Sequence, residues 1–90
     1  MPQIHIPAIL RTQADGQSVV NCSGQTVGEL LAHLVQQYPA LLPSLMNESQ
    51  QLHSFLNLFV DGRNIRDLDQ LKTLVAENQT ILIVPALAGG

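Results

Sequence analysis

The spacing of apolar residues switches between two and about four along this chain, and each switch marks an element. Ile4 and Ile6 alternate with His5 and Pro7, which predicts that the stretch 3–10 starts as a strand. Pro7 has no N–H for a ladder, so it belongs at a strand end or a bulge. Ala14-Asp15-Gly16-Gln17 reads as a turn and Ser18 to Cys22 as a second strand, so a β-hairpin opens the chain. Thr26 then stands three residues before Glu29, the T-x-x-E pattern of a capping box. Val27, Leu30, Leu31, Leu34 and Val35 follow at helical spacing and form one apolar stripe. Tyr38-Pro39 ends that helix, because the residue before a proline avoids the α region.

Residues 40–54 lack a period, apart from a short helical turn that Pro43 is placed to open, carrying Leu45 and Met46. Alternation returns at Phe55 to Val60, with Leu56, Leu58 and Val60 on one face and Phe55, Asn57 and Phe59 on the other. Asp61-Gly62 is a tight-turn pair. Ile65, Leu68, Leu71 and Leu74 recur at three to four, which predicts short helical turns with little strand. Glu77-Asn78-Gln79 is a turn in which Asn78 is able to take a positive φ. Thr80 to Val84 is apolar on both faces, as a central strand would be. One helix can cover one face of one small mixed sheet, so the fold class is α+β.

Composition narrows the function. Hydrophobic residues are 46% and charged residues 12%, so the core is large for the chain or some apolar surface waits for a partner. Four cations, Arg11, Arg63, Arg66 and Lys72, stand against seven acidic residues and form no basic run, which speaks against nucleic-acid binding. The longest apolar stretch, Ile81 to Ala88, is far short of the about 20 residues a bilayer needs. The start has no basic flank with a long apolar run, so a cytoplasmic protein is expected. A single cysteine, Cys22, excludes an internal disulfide and a four-cysteine metal site. It reads as a small core residue of the second strand, ahead of a persulfide carrier. His5, His33 and His53 lack metal-ligand spacing and read as solvent-facing or capping groups, and Arg11 and Arg66 as solvated surface ahead of partner contacts.

The C-terminus is the most informative feature. A strand passes through Pro85 into Ala86-Leu87-Ala88-Gly89-Gly90, an apolar tail that ends in two glycines. Frayed ends are usually polar, and glycines leave nothing to obstruct a narrow channel. Together with Ile6-Pro7-Ala8-Ile9-Leu10-Arg11, Gly24-Gln25-Thr26-Val27 and Leu52-His53-Ser54-Phe55-Leu56-Asn57-Leu58-Phe59-Val60, this ending makes the chain resemble the MoaD/ThiS family of ubiquitin-like sulfur carriers over nearly its whole length. Within that family it looks most similar to the carriers that serve a dedicated cysteine synthase, the CysO type. Glu77-Asn78-Gln79 departs from the usual Asp-Gly-Asp, and Gln70 stands where glycine is common.

The resemblance implies a ubiquitin-like β-grasp domain over 1–85 and a flexible tail over 86–90, with Gly90 as the reactive end and Gly89 giving it passage. Pro85, Ala86, Leu87 and Ala88 would lie along a partner's channel. It further implies an E1-like adenylating enzyme that uses ATP with magnesium, a thiocarboxylate on Gly90, and a sulfur-accepting synthase. That synthase would be cysteine synthase-like or a molybdopterin synthase large subunit. The chain itself has no Gly-rich phosphate loop or Walker lysine, so it is expected to be a substrate and carrier that binds no cofactor or metal. A ubiquitin-type modifier joined through Gly90 and a plain β-grasp interaction module remain open beside it. No second helix is predicted to cover Phe55 and Phe59, so that sheet face is either shielded by the 40–54 loop or a partner patch.

Overall fold

Pro7 decides how the chain begins. The computed structural model describes residues 1–49 and 51–85, and in it β1 is only Gln3–His5. Ile6 turns its N–H to the carbonyl of Ser18 at 2.8 Å, and the chain leaves the ladder at Pro7 for a 3-10 helix over Ala8–Ala14. Leu10 and Ala14, four residues apart, are buried. Asp15 and Gly16, at φ 54° and 79°, reverse the chain into β2, Val19–Asn21, which pairs antiparallel with β1. The expected hairpin pairing is present, but a helical excursion replaces the second half of the expected first strand. A residue without an N–H cannot prolong the ladder, and two inward apolar groups spaced by four favour a helical turn.

The helix α1, Val27–Gln37, starts as its cap predicts. Glu29 N–H donates to Thr26 Oγ1 at 3.2 Å, and Glu29 Oε1 accepts from Gln25 N–H at 2.8 Å. The reciprocal bond therefore reaches one residue further back than in the standard box. Gly24 makes this approach possible: a Cβ there would stand 2.8 Å from Glu29 Cβ. Val27, Leu30, Leu31 and Leu34 are buried and Val35 is half-buried. Past Tyr38, a 3-10 turn over Pro39–Leu41 leads into α2, Leu42–Leu45, with Pro43 in its first turn. Leu41 and Leu45 enter the core.

Strand β3, Leu56–Val60, turns through Asp61 and Gly62 (φ 49° and 86°) into the two-residue β4, Arg63–Asn64. Two 3-10 turns, Ile65–Asp67 and Gln70–Lys72, follow as expected. The helical period stops there. Thr73 and Val75 are buried and Leu74 is 75% exposed, because Thr73 and Val75 bond through their backbones to Val27 and Gln25 and adopt strand-like alternation. Asn78 is not among the residues with positive φ; Gln70, at φ 54°, is.

The last strand, β5 (Thr80–Pro85), runs parallel to β1 and antiparallel to β3 and completes a sheet of order β2-β1-β5-β3-β4. Ile4, Val20, Leu58, Ile81 and Ile83 face α1 and are buried with its leucines in one core. The central position expected of 80–84 is therefore correct.

Candidate functional site

The site is built around the end of β5. Because β5 lies between β1 and β3, Pro85, the last described residue, stands on a central strand opposite Leu56. Of the tail residues singled out in the sequence, Pro85 is half-buried at this strand end. Ala86, Leu87, Ala88, Gly89 and Gly90, and with them the expected flexible tail, lie outside the described residues.

The sheet face away from α1 carries a row set by register. Val19 opposes His5, His5 opposes Leu82, Leu82 opposes Phe59, and Phe59 opposes Asn64. In the neighbouring row Asn57 opposes Val84. Val19, Leu82 and Val84 are 37%, 45% and 36% exposed, and Phe59 is half-buried. The 40–54 segment does not cover this face, since Leu41 and Leu45 are spent on the core beside α1. Phe59 thus sits where the alternation put it. Phe55 does not join β3: it stands in the preceding turn, 39% exposed, and stacks on His53 with ring centroids 4.8 Å apart. Leu82 and Val84 are the larger part of the patch. Their signal was the apolar outer face of a strand too hydrophobic for one-sided burial.

A groove of about 530 Å³ follows the end of β5, between Leu82, Val84 and Pro85 on one side and His5, Pro7 and Arg11 on the other. Arg11 is exposed, and its Nε donates to the carbonyl of Ile6 at 3.0 Å. A second groove, about 640 Å³, lies at Leu52, His53, Ile65, Arg66, Leu71 and Lys72. Its guanidinium is structural, because one amino group of Arg66 donates to the carbonyls of Ser54 (2.8 Å) and Leu56 (3.2 Å).

Remaining candidates have local roles. Ser23 N–H donates to His33 Nδ1 at 2.7 Å, and His53 Nε2 lies 2.9 Å from the carbonyl of Pro43. Cys22 is fully buried, and burial pushes its thiol up to about 11, so the thiolate a persulfide carrier needs is disfavoured. Among the described residues no group of three or more His, Cys, Asp or Glu is placed to hold a metal. No helix there is long and apolar enough to cross a membrane.

The model of the ThiS family matches residues 4–90, which takes in both the sheet and the tail. The chain belongs to the ThiS family. It is 36% identical over 89 residues to the sulfur carrier protein CysO of Mycobacterium tuberculosis, covering 97% of this chain and 96% of that one. Its fold is similar to the structure of the Amycolatopsis orientalis BexX/CysO complex, with a TM-score of 0.92 and 32% identity over all of both chains. It is also similar to the small archaeal modifier protein 1 of Methanosarcina acetivorans, with a TM-score of 0.87, 31% identity, and coverage of 98% of this chain and 94% of that one. This ThiS-family chain is therefore a ubiquitin-like β-grasp protein, as its five-stranded mixed sheet and single main helix require.

Proposed function

We propose that this chain is a sulfur carrier whose working group is the carboxylate of Gly90. The observation that carries the reading is the position of Pro85, the residue from which the tail starts. A rigid central strand ends at Pro85, next to an exposed apolar patch, and five residues without charged side chains follow, the last two glycine. Extended, they reach about 17 Å. That is the form of a group delivered into another protein's active site, with the patch of Phe59, Leu82 and Val84 as the docking surface. The similarity to CysO of Mycobacterium tuberculosis supports the carrier role and favours cysteine as the product of the delivered sulfur, ahead of molybdopterin. The BexX/CysO complex supports a protein partner that takes up such a carrier.

The chemistry is as follows. An α-carboxylate is ionised at neutral pH and is a poor acyl donor. Its oxygen attacks the α-phosphorus of ATP on an E1-like enzyme and releases pyrophosphate, which leaves an acyl-adenylate. Sulfur at the level of hydrosulfide then attacks the acyl carbon as HS⁻, the C–O bond to AMP breaks with AMP as the leaving group, and loss of the S–H proton leaves a thiocarboxylate. Phosphate charge in these steps is neutralised by metal and cations of the enzyme. The chain contributes an unobstructed end and a rigid mount.

The test is ATP–pyrophosphate exchange with the cognate activating enzyme, followed by intact mass and C-terminal peptide mapping of chain isolated from cells. Exchange that is lost on deletion of Gly90, and a C-terminal gain of about 16 Da that is separable from oxidation of Met1 or Met46, support the carrier. Deleting Gly90 draws the carboxylate back by about 3.3–3.6 Å, out of reach of a fixed phosphorus atom. Normal exchange without Gly90 overturns the reading. The similarity to an archaeal modifier protein keeps a second reading, conjugation through Gly90, in view. A ladder of conjugates on denaturing blots, in place of one band, would select it.

A further inference from the structure

Pro85 belongs to a corner of the sheet that has strands on neither outer side. Pairing of β5 with β1 stops at His5 opposite Leu82, although β5 runs on to Pro85. Pro7 stands next and has no N–H to prolong the ladder. The N–H of Ile6 is already given to Ser18, and its carbonyl accepts from Arg11. Val84 and Pro85 are therefore held in the sheet from the β3 side, opposite Asn57 and Leu56. That part of β3 is an edge in its turn, because β4 pairs with Phe59 and Val60 and goes no further. Among the described residues, Leu56 and Asn57 with Val84 and Pro85 form a two-stranded ribbon with no third strand beside it. Two strands alone are marginal in water.

Arg66 stands where the missing strand would be. Asp61 N–H donates to the carbonyl of Thr80 at 3.1 Å, which makes Asp61 and Thr80 a bonded pair of the antiparallel ladder. Alternation then makes Phe59–Leu82 and Asn57–Val84 bonded pairs and turns the backbone groups of Leu56 away from β5. On that side one amino group of Arg66 donates to the carbonyl of Leu56 at 3.2 Å and to the carbonyl of Ser54 at 2.8 Å. Arg66 is set for this by its own turn. Its backbone N–H donates to Asn64 Oδ1 at 2.9 Å, and Asn64 Nδ2 donates to Asn57 Oδ1 on β3 at 3.4 Å. Water can satisfy either carbonyl, but water does not tie the start of β3 to the turn at Ile65–Asp67. A guanidinium does, and as a charged donor it makes the stronger bond.

We propose that Arg66 is a positioning residue for the reaction at Gly90: by clasping the start of β3 it holds Pro85, the mount of the tail, in place. The proposal rests on the carrier reading. The reach of the residues that follow is counted from Pro85, so a mount that shifts takes the carboxylate out of register with a fixed phosphorus atom. A displacement of about 1 Å is enough to cost a large part of the rate. Arg66 is exposed, and the bonds it makes are to two carbonyls at one end of the sheet, away from the buried leucines of α1. Its loss therefore loosens one corner and leaves the core standing. Phe59 and Leu82 of the docking patch lie further along the ladder, in a bonded pair that β4 and β1 support from both sides.

The experiment uses the full 90-residue chain as wild type and as Arg66→Met, which keeps an apolar stem and removes the donors. Native-state hydrogen exchange is read at the Val84 and Leu82 amides, and ATP–pyrophosphate exchange with the activating enzyme gives kcat and KM for each chain. The expected result is a loss of Val84 protection of about tenfold with Leu82 unchanged. With it, kcat should fall about fivefold or more while KM stays within about twofold, because docking persists and presentation does not. Should Arg66→Met not fold, Arg66→Gln, too short for both carbonyls, is read in the same way. Equal loss at Val84 and Leu82, or none at Val84, overturns the clasp. A loosened Val84 with unchanged kcat overturns the positioning role, and so does a raised KM at constant kcat, which would assign Arg66 to docking. Absence of exchange with wild type would overturn the carrier reading and the positioning role together, and the amide comparison, which needs no enzyme, would still decide the clasp.

Discussion

Gln70 holds a backbone conformation that its side chain disfavours. At φ 54° an L-residue brings its Cβ against the following carbonyl, at a cost of about 1–2 kcal/mol, which glycine avoids. The Gln70 side chain is exposed, so little packing is lost with it. Gln70→Gly adds unfolded-state entropy of about 0.4–1 kcal/mol, and the balance is a net stabilisation of about 0.5–1 kcal/mol. Urea denaturation of the variant should show that increase; a decrease would mean that Gln70 makes a contact that outweighs the strain. The single left-handed position in this segment was visible in the sequence only as a departure from a glycine. Cys22 gives a second expectation at this scale. Its thiol is raised to about 11 from 9.0 by burial, so the folded state holds its proton to higher pH than the unfolded chain. Stability from this group is complete below about pH 9 and is lost as pH rises through 11, by roughly 3 kcal/mol at most. Alkaline melts of wild type should slope down across that window, and those of Cys22→Ala should lose this part of the slope.

Helix α1 is the element on which the core depends. Leu30 and Leu34 are 0% exposed, in one cluster with Ile4, Leu58 and Ile81 of the sheet. Leu34→Ala removes buried methyl groups and leaves a cavity, which costs about 2–5 kcal/mol. Against the about 5–15 kcal/mol of a typical domain, a midpoint shift of that size should be plain in urea. A change of a few tenths would contradict the packing. The cap of α1 and its stripe were legible because both are local: three residues set the cap, and burial repeats every turn. Segment 73–75 was not legible, because its alternation comes from backbone bonds to Gln25 and Val27, nearly fifty residues earlier in the chain.

For the molecule as a whole, the outer sheet face is the surface where stability and function separate. Leu82→Asp places a charge on a residue that is 45% exposed, so folding should change by well under the cost of a core substitution. Binding to the activating enzyme should weaken by more than tenfold, because the charge would be buried unpaired in the contact. Titration of the enzyme with each chain measures this. Unchanged binding would assign docking to another surface, and a collapse of stability would show Leu82 to be a core residue of the assembled fold. Phe59→Asp should act in the same direction with a larger loss of stability, since Phe59 is half-buried.

The sequence by itself determined what depends on neighbours along the chain. It placed the capped helix, the alternation of Leu56, Leu58 and Val60, the turn at Asp61-Gly62, and the Gly-Gly end, each specified by residues within a few positions of one another. The tertiary structure alone decided what depends on strands brought together from far apart. It put β5 between β1 and β3, aligned Val19, His5, Leu82 and Phe59 in one row, removed Phe55 to a turn against His53, and opened the edge of β5 beyond Pro7. The reason is physical. Local propensity and period act over one turn or one strand, whereas register and the vacancy left by a proline exist only once a neighbouring strand is present to pair or to fail to pair.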